Sequence, residues 1–378
     1  MRSILAPITL TFLAALTPPR AEACGGLVQP PEGTVGIDVQ RAFFVVGAES
    51  TRIVLQIVVP QSPNDYGVIV PVPAQPTLDE DVVEAAAFDE LDRATAPQVV
   101  VADSEREAAS GCGCGAEKSD GALQNQSPDS GVTIGQQLDI GPVSAVTLTA
   151  TTGESVRAWL SQNGFVLPLD AQPIVDSYSG PGKWFVAFKR ASATPSTAST
   201  VGIRMSAPGD HRSFAIRMAS IGARPEVAIT VFVGSPEPSG PGLPWDALTL
   251  EDLDPGELTF GTYRNAVRAA VYARSGQAFV IEGVFARAEL PSNQLTRMLG
   301  SARLTRLTTV LSSGDMTTDV SFTGPVPANV PRRITVGGAA GGPAGASPSK
   351  VFEWGMLCGL ARIARRLAKS TSRRLGRN

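Results

Sequence analysis

Residues 35–72 contain three apolar runs rich in β-branched side chains, VGIDVQRAFFVV (35–46), TRIVLQIVV (51–59) and YGVIVPV (66–72). They read as consecutive strands, with QSPND (61–65) as a tight turn between the second and third. The same kind of segment recurs along the chain. QVVVA (98–102), KWFVAFK (183–189), TVGIRMS (200–206), SFAIRMA (213–219), EVAITVFVG (226–234), QAFVIEGVFA (277–286) and ARLTRLTTVLSS (302–313) each predict a strand, and VTIGQQLDIGPVSAVTLTA (132–150) predicts two. The 38 glycines and 30 prolines among 378 residues exceed the usual combined share of about 12% and point to turns rather than long helices. Helical spacing is confined to short stretches. Val82, Val83, Ala86, Phe88 and Leu91 form one, with Thr77 or Asp79 placed to cap its start and Pro97 to end it. ESVRAWLSQNG (154–164) sets Val156, Trp159 and Leu160 on one face and stops at Gly164; a second short helix follows around Ala171–Tyr178, and TYRNAVRAAVYARSG (262–276) is amphipathic. The expectation is an α+β fold, strand-dominated, with mostly antiparallel sheets and a few short helices, arranged as two similar β-rich subdomains over 24–102 and 132–336.

One internal similarity bears on that duplication. Gly67, Pro71, Ala74, Gln75, Pro76 and Asp79 in YGVIVPVPAQPTLD recur 97 positions later as Gly164, Pro168, Ala171, Gln172, Pro173 and Asp176 in GFVLPLDAQPIVD. The residue types are those of scaffold: glycine at the entry, prolines that end a strand and fix a turn, and an aspartate placed to start a helix. Both copies are expected to trace a strand, a proline-fixed turn and a helical segment.

The ends and the middle of the chain differ in character from this body. Arg2, the apolar run ILAPITLTFLAAL (4–16) and AEA (21–23) make a signal-peptide pattern over residues 1–23, with Cys24 first in the mature protein. This predicts export across the inner membrane to the periplasm or cell envelope. An uncleaved anchor and a lipidated Cys24 are the alternatives; Ala21 and Glu22 suit a lipid-attachment site poorly. Residues 103–131 carry almost no large apolar side chain and predict a flexible insertion containing Cys112 and Cys114. VGGAAGGPAGASPS (336–349) reads as a linker, assigned to 337–349, before a tail at 350–378. That tail holds eight Lys/Arg and one acid, Glu353, so the rest of the chain carries 24 basic against 34 acidic residues within a net charge of −3. Trp354, Leu357, Leu360, Ile363, Ala364 and Leu367 can form an apolar stripe, with Arg362, Arg365, Arg366, Lys369 and Arg373 on the other side. The apolar part is well short of the roughly 20 residues a spanning helix needs. An interfacial helix on an anionic membrane surface is the expectation, with a solvated tail or a degenerate sorting anchor as the other readings.

ACGG (23–26), YGVIVPVPAQP, FDELDRATAP (88–97), GFVLPLDAQPIVDSYSGPGKWFVAFK (164–189), IRMSAP (203–208) and RLTRLTTVLSSGDMTTDVSF (303–322) together resemble a bacterial secreted family of unknown function, DUF 2330. The resemblance implies an exported envelope protein, with no activity, substrate or cofactor to carry over. The family start resembles CGGxxC, whereas Gln29 stands here where the second cysteine would be, so a local disulfide from Cys24 is not expected.

The chemistry-bearing residues are few. The single histidine, His211, sits in the polar turn PGDHRS and is expected to be an exposed turn residue; multi-histidine metal sites are excluded. No nucleophile-elbow, zinc-protease or EF-hand motif is present, and Ser177 occupies the place where a phosphate loop around SGPGKW would need its first glycine. Asp79, Glu80, Asp81 and Glu84 are expected to cap and solvate a helix start rather than to cage a cation or serve as general acids. No catalytic, cofactor or metal residue is therefore assigned. In an oxidising compartment Cys24, Cys112 and Cys114 are candidates for a structural disulfide, Cys24 joining either of the other two. Thiolates at Cys112 and Cys114 would supply half of a soft-metal site. The overall expectation is a non-enzymatic binding or structural protein of the envelope that takes a protein partner or a membrane surface and no nucleic acid; the alternative is a redox or metal-handling protein or enzyme using the Cys112/Cys114 loop.

Overall fold

Strands whose residues alternate between two apolar environments build most of the body. The computed structural model describes residues 21–22, 26–28, 37–59, 67–101, 131–191, 199–254 and 263–336. Chain contacts separate residues 1–336 from 337–378, and the second unit lies outside the described residues. Two short strands, β1 (Ala21–Glu22) and β2 (Gly26–Val28), precede the hairpin β3 (Ile37–Val46) and β4 (Ser50–Val59). β5 (Gly67–Val72) and β6 (Thr77–Glu84) lead into α1 (Ala85–Thr95) and β7 (Gln98–Val101). A second hairpin, β8 (Val132–Ile140) and β9 (Val143–Ala150), is followed by α2 (Gly153–Gln162) and α3 (Gln172–Ser177). Next come β10 (Trp184–Arg190), β11 (Ser199–Pro208), β12 (Ser213–Phe214), α4 (Ile216–Ala219) and β13 (Ala223–Ser235). β14 (Asp246–Leu248), α5 (Tyr263–Tyr272), β15 (Ala278–Phe285), β16 (Arg303–Ser312), β17 (Val320–Ser321) and β18 (Arg333–Val336) complete the order.

A nine-stranded sheet runs β14-β15-β16-β13-β3-β4-β11-β6, with β1 beside β3; a five-stranded sheet runs β2-β5-β10-β9-β8. Most pairings are antiparallel, as expected; β1–β3, β13–β3, β14–β15 and β18–β7 are parallel. Each of the two sheets takes strands from both sides of residues 103–131. The β-rich segments 24–102 and 132–336 are thus interleaved in the same sheets, because β3 pairs with β13 and β5 with β10.

The period of two explains the layering. Ala42 and Phe44 of β3, with Ile53 and Leu55 of β4, share one buried cluster with Val68, Val70 and Val72 of β5 and Val186 and Phe188 of β10. The alternate residues face outward into separate cores. Ile69 and Phe185 pack with Val156, Trp159 and Leu160 of α2 and Val175 of α3. Phe43, Val45 and Val54 pack with Phe88 and Leu91 of α1 and Phe232 of β13. Central strands such as β4 and β5 are buried on both faces, so they read as nearly continuous apolar runs.

Three expectations are corrected here. The copies at 67–79 and 164–176 trace unlike backbones. The first is strand, turn and the start of strand β6, whereas the second is a turn at Gly164 (φ +69°), a 3-10 turn at Leu169–Ala171 and α3. The acidic stretch read as a helix start is β6, an edge strand in which Leu78 and Val83 are buried between exposed acids. Charged side chains suit this edge because no further strand pairs along it among the described residues; the Gln136 and Gln294 side chains bond its backbone instead. SFAIRMA, expected as a strand, is β12 followed by a short helix from Ile216.

Candidate functional site

A cavity of about 210 Å³ takes its walls from both sheets. Phe44 on β3 with Ile53 and Leu55 on β4 form one side, Val70 and Val72 on β5 another, and Phe214 on β12 adds to the apolar lining. Tyr178, Lys183, His211, Ser213 and Asp319 are its polar lining residues.

Tyr178 directly follows α3. Its hydroxyl donates to Asp319, lying 2.6 Å from each carboxylate oxygen. The Oδ1 of Asp319 also accepts the Arg217 backbone N–H at 3.0 Å, and its carbonyl accepts from Trp245 Nε1 at 2.9 Å. Arg217 in turn places its guanidinium 5.5 Å from the Tyr178 ring centroid and donates to Ser177 Oγ at 2.9 Å. Burial, followed by the hydrogen bond to Asp319, holds the Tyr178 hydroxyl well above the usual tyrosine range, so it remains a neutral donor.

His211 is half-buried on the cavity wall rather than an exposed turn residue. The reason is tertiary. The turn is held against the end of the β3–β4 hairpin by Gly209 N–H donating to Glu49 O at 2.7 Å and by His211 N–H donating to Thr51 Oγ1 at 2.9 Å. Thr51 completes the link by donating to Gly209 O at 2.8 Å. The ring Nε2 of His211 is buried and has no hydrogen-bond partner. Lys183 is exposed at the cavity wall, where Nζ donates to Ser177 O at 3.1 Å.

A second polar constellation lies inside the large sheet. Glu282, fully buried, is the extra residue where the β15–β16 register shifts between Ile281 and Gly283. Such a bulge re-aims one side chain. Its carboxylate accepts from Tyr263 Oη at 2.6 Å and pairs with Arg306 Nε. Arg306 also reaches Asp92 Oδ1 at 2.6 Å and Thr95 Oγ1 at 3.0 Å in α1. Every member is paired, which fits a structural tie between α1, α5 and the sheet. A third group joins β11 to β6: Arg204 Nη2 lies 2.7 Å from Asp79 and 3.1 Å from Asp81. The hydrogen bond from Arg204 holds the Asp79 carboxyl below the usual range. A second depression, about 380 Å³, lies beside α5, where Glu226 is paired with Arg264 and Arg268.

Cys24, Cys112 and Cys114 lie outside the described residues, as do Trp354, Leu357, Leu360, Arg362, Ile363, Arg365, Arg366, Leu367 and Lys369. Among the described residues no group of three or more His, Cys, Asp or Glu is placed to hold a metal ion, and no helix is long and apolar enough to cross a membrane. Sequence reasoning did not single out Tyr178, Asp319, Arg217, Glu282 or Arg306. For the last pair a signal existed: a charge inside an otherwise apolar strand, as in QAFVIEGVFA, is seldom tolerated unless paired.

A family model described as an uncharacterized protein conserved in bacteria (DUF2330) matches residues 18–235. The chain belongs to the DUF2330 family. The matched span of this DUF2330 protein ends with β13 and includes every cavity residue named above except Asp319; the quoted stretch 303–322 lies beyond it. No curated protein and no solved structure matches the chain.

Proposed function

We propose that this DUF2330 protein is an exported, non-enzymatic envelope protein that holds a small, largely apolar molecule between its two sheets. The observation that carries the reading is the cavity itself: a mostly apolar lining with a few polar groups, the common form of a small-molecule site. Binding is favoured over catalysis because nearby carboxylates are engaged elsewhere. Asp319 accepts from Tyr178 and Arg217, and Asp210 is bonded by Arg212. A general base would need such a carboxylate to orient His211. Export is supported by the leader pattern at 1–23, and contact with an anionic membrane by the basic tail at 350–378.

The test is made on the full-length chain expressed with its leader in a bacterium with a periplasm. The envelope fraction should contain a protein whose mass places Cys24 at its N-terminus. That protein should bind 2-phenylethanol, a neutral aromatic probe, saturably and at one site, and enlarging Ala215, which also lines the cavity, in Ala215→Phe should abolish binding. Binding that survives Ala215→Phe, or a cytoplasmic protein with residues 1–23 intact, would refute the respective half of the proposal.

A further inference from the structure

We propose that the molecule held in the cavity carries a carboxylate, received by His211 and Lys183, on a compact ring-sized apolar body. This rests on the reading of the cavity as a binding site. The polar groups of its lining are unequal. The Tyr178 hydroxyl is already donated to Asp319. Asp319 accepts the Tyr178 hydroxyl and, at Oδ1, the Arg217 backbone N–H. What remains for a ligand is a set of donors. Lys183 Nζ makes one bond, to Ser177 O, and an ammonium group has three hydrogens to give. His211 Nε2 has no partner although it is buried, a costly condition that a ligand acceptor would relieve. Its position is fixed, because Thr51 and the Gly209–Glu49 bond hold the turn from the backbone.

A cationic head group would meet Lys183 with like charge, and a neutral one would leave the lysine without a counter-ion. A carboxylate satisfies both donors with charge-assisted bonds. Size sets the body. A dry cavity of about 150 Å³ takes benzene; at about 210 Å³ this one suits a ring with a short acidic arm, resting against Phe44, Leu55 and Val70.

Calorimetric titration of the full-length protein with phenylacetate, 2-phenylethanol and 2-phenylethylamine tests this. Phenylacetate should bind at least tenfold more tightly than the alcohol, and the amine least. Lys183→Met and His211→Phe should each cost phenylacetate about tenfold more affinity than they cost 2-phenylethanol. Lys183 is exposed, so its variant will fold even if the His211 variant does not. Equal affinity for acid and alcohol, or acid binding indifferent to Lys183→Met, would overturn the carboxylate assignment and leave the cavity standing as a binding site. Failure of all three probes to bind would overturn both.

Discussion

The ring of Phe165 occupies the space where a Cβ on Gly67 would stand. Phe165 follows the α2 corner and Gly67 opens β5, so the contact fastens the helical layer to the small sheet. Opposite Gly67 in the ladder is Lys189, whose Nζ sits 4.6 Å from the Phe165 ring centroid and bonds to Asn163 O. The segments 67–79 and 164–176 therefore meet near their starts, through Gly67 and Phe165, although they do not repeat one another in shape. Gly67→Ala should destabilise the protein by about 1–3 kcal/mol through overpacking. In Phe165→Leu the same change should cost clearly less, and the double-mutant cycle from urea unfolding should show a coupling of at least about 0.5 kcal/mol. Additive effects would mean that the ring moves aside freely.

Glu282→Gln should be among the most damaging single substitutions. It leaves the Arg306 guanidinium, 8% exposed, without its buried partner, and breaking such a pair costs about 3–5 kcal/mol. Replacing both residues by leucine should cost less than Glu282→Gln alone. Thermal unfolding of the three proteins checks the order.

The Asp79–Arg204 pair predicts a small, signed pH effect. Arg204 lowers the folded pKa of Asp79 below its ordinary value of 3.8. Its stabilisation is therefore complete above that value and is lost as pH falls through the lower, folded pKa. Asp79 is 41% exposed, so solvent screening limits the contribution to less than about 1 kcal/mol. Asp79→Asn should lower stability at neutral pH by that amount, and the difference from the parent should vanish at strongly acid pH. A difference that grows on acidification would refute the assignment.

Removal of residues 350–378 should release the protein from anionic vesicles at low salt, each basic residue near the surface contributing at most about 1 kcal/mol. Binding of the parent should weaken as salt rises. Co-sedimentation of truncated and full-length protein to the same extent would remove the membrane role from the tail.

Non-reducing peptide mapping should join Cys24 to Cys112 or Cys114. Free thiols at Cys112 and Cys114 that retain zinc after purification would instead favour the metal-handling reading.

The sequence by itself determined the strand content, most strand positions and the mostly antiparallel pairing. It could do so because both faces of the central strands are buried, so β4 and β13 carry the apolar, β-branched stretches IVLQIVV and VAITVFV. It also determined α2 and its glycine stop, since local spacing and a left-handed Gly164 suffice. Where a segment's state depends on what lies beside it, local pattern misled. β6 looks like a helix start because its acids meet solvent and Arg204 at a sheet edge, and the short run at 216–219 is equally apolar in either state. The cavity lay entirely beyond local reading. Phe44, Val70, Tyr178, His211 and Asp319 are scattered over much of the chain, and only the tertiary packing of the two sheets and their connections brings them around one cavity. His211 changed most: in sequence it is a polar turn residue, and only the Thr51 and Glu49 contacts turn it inward.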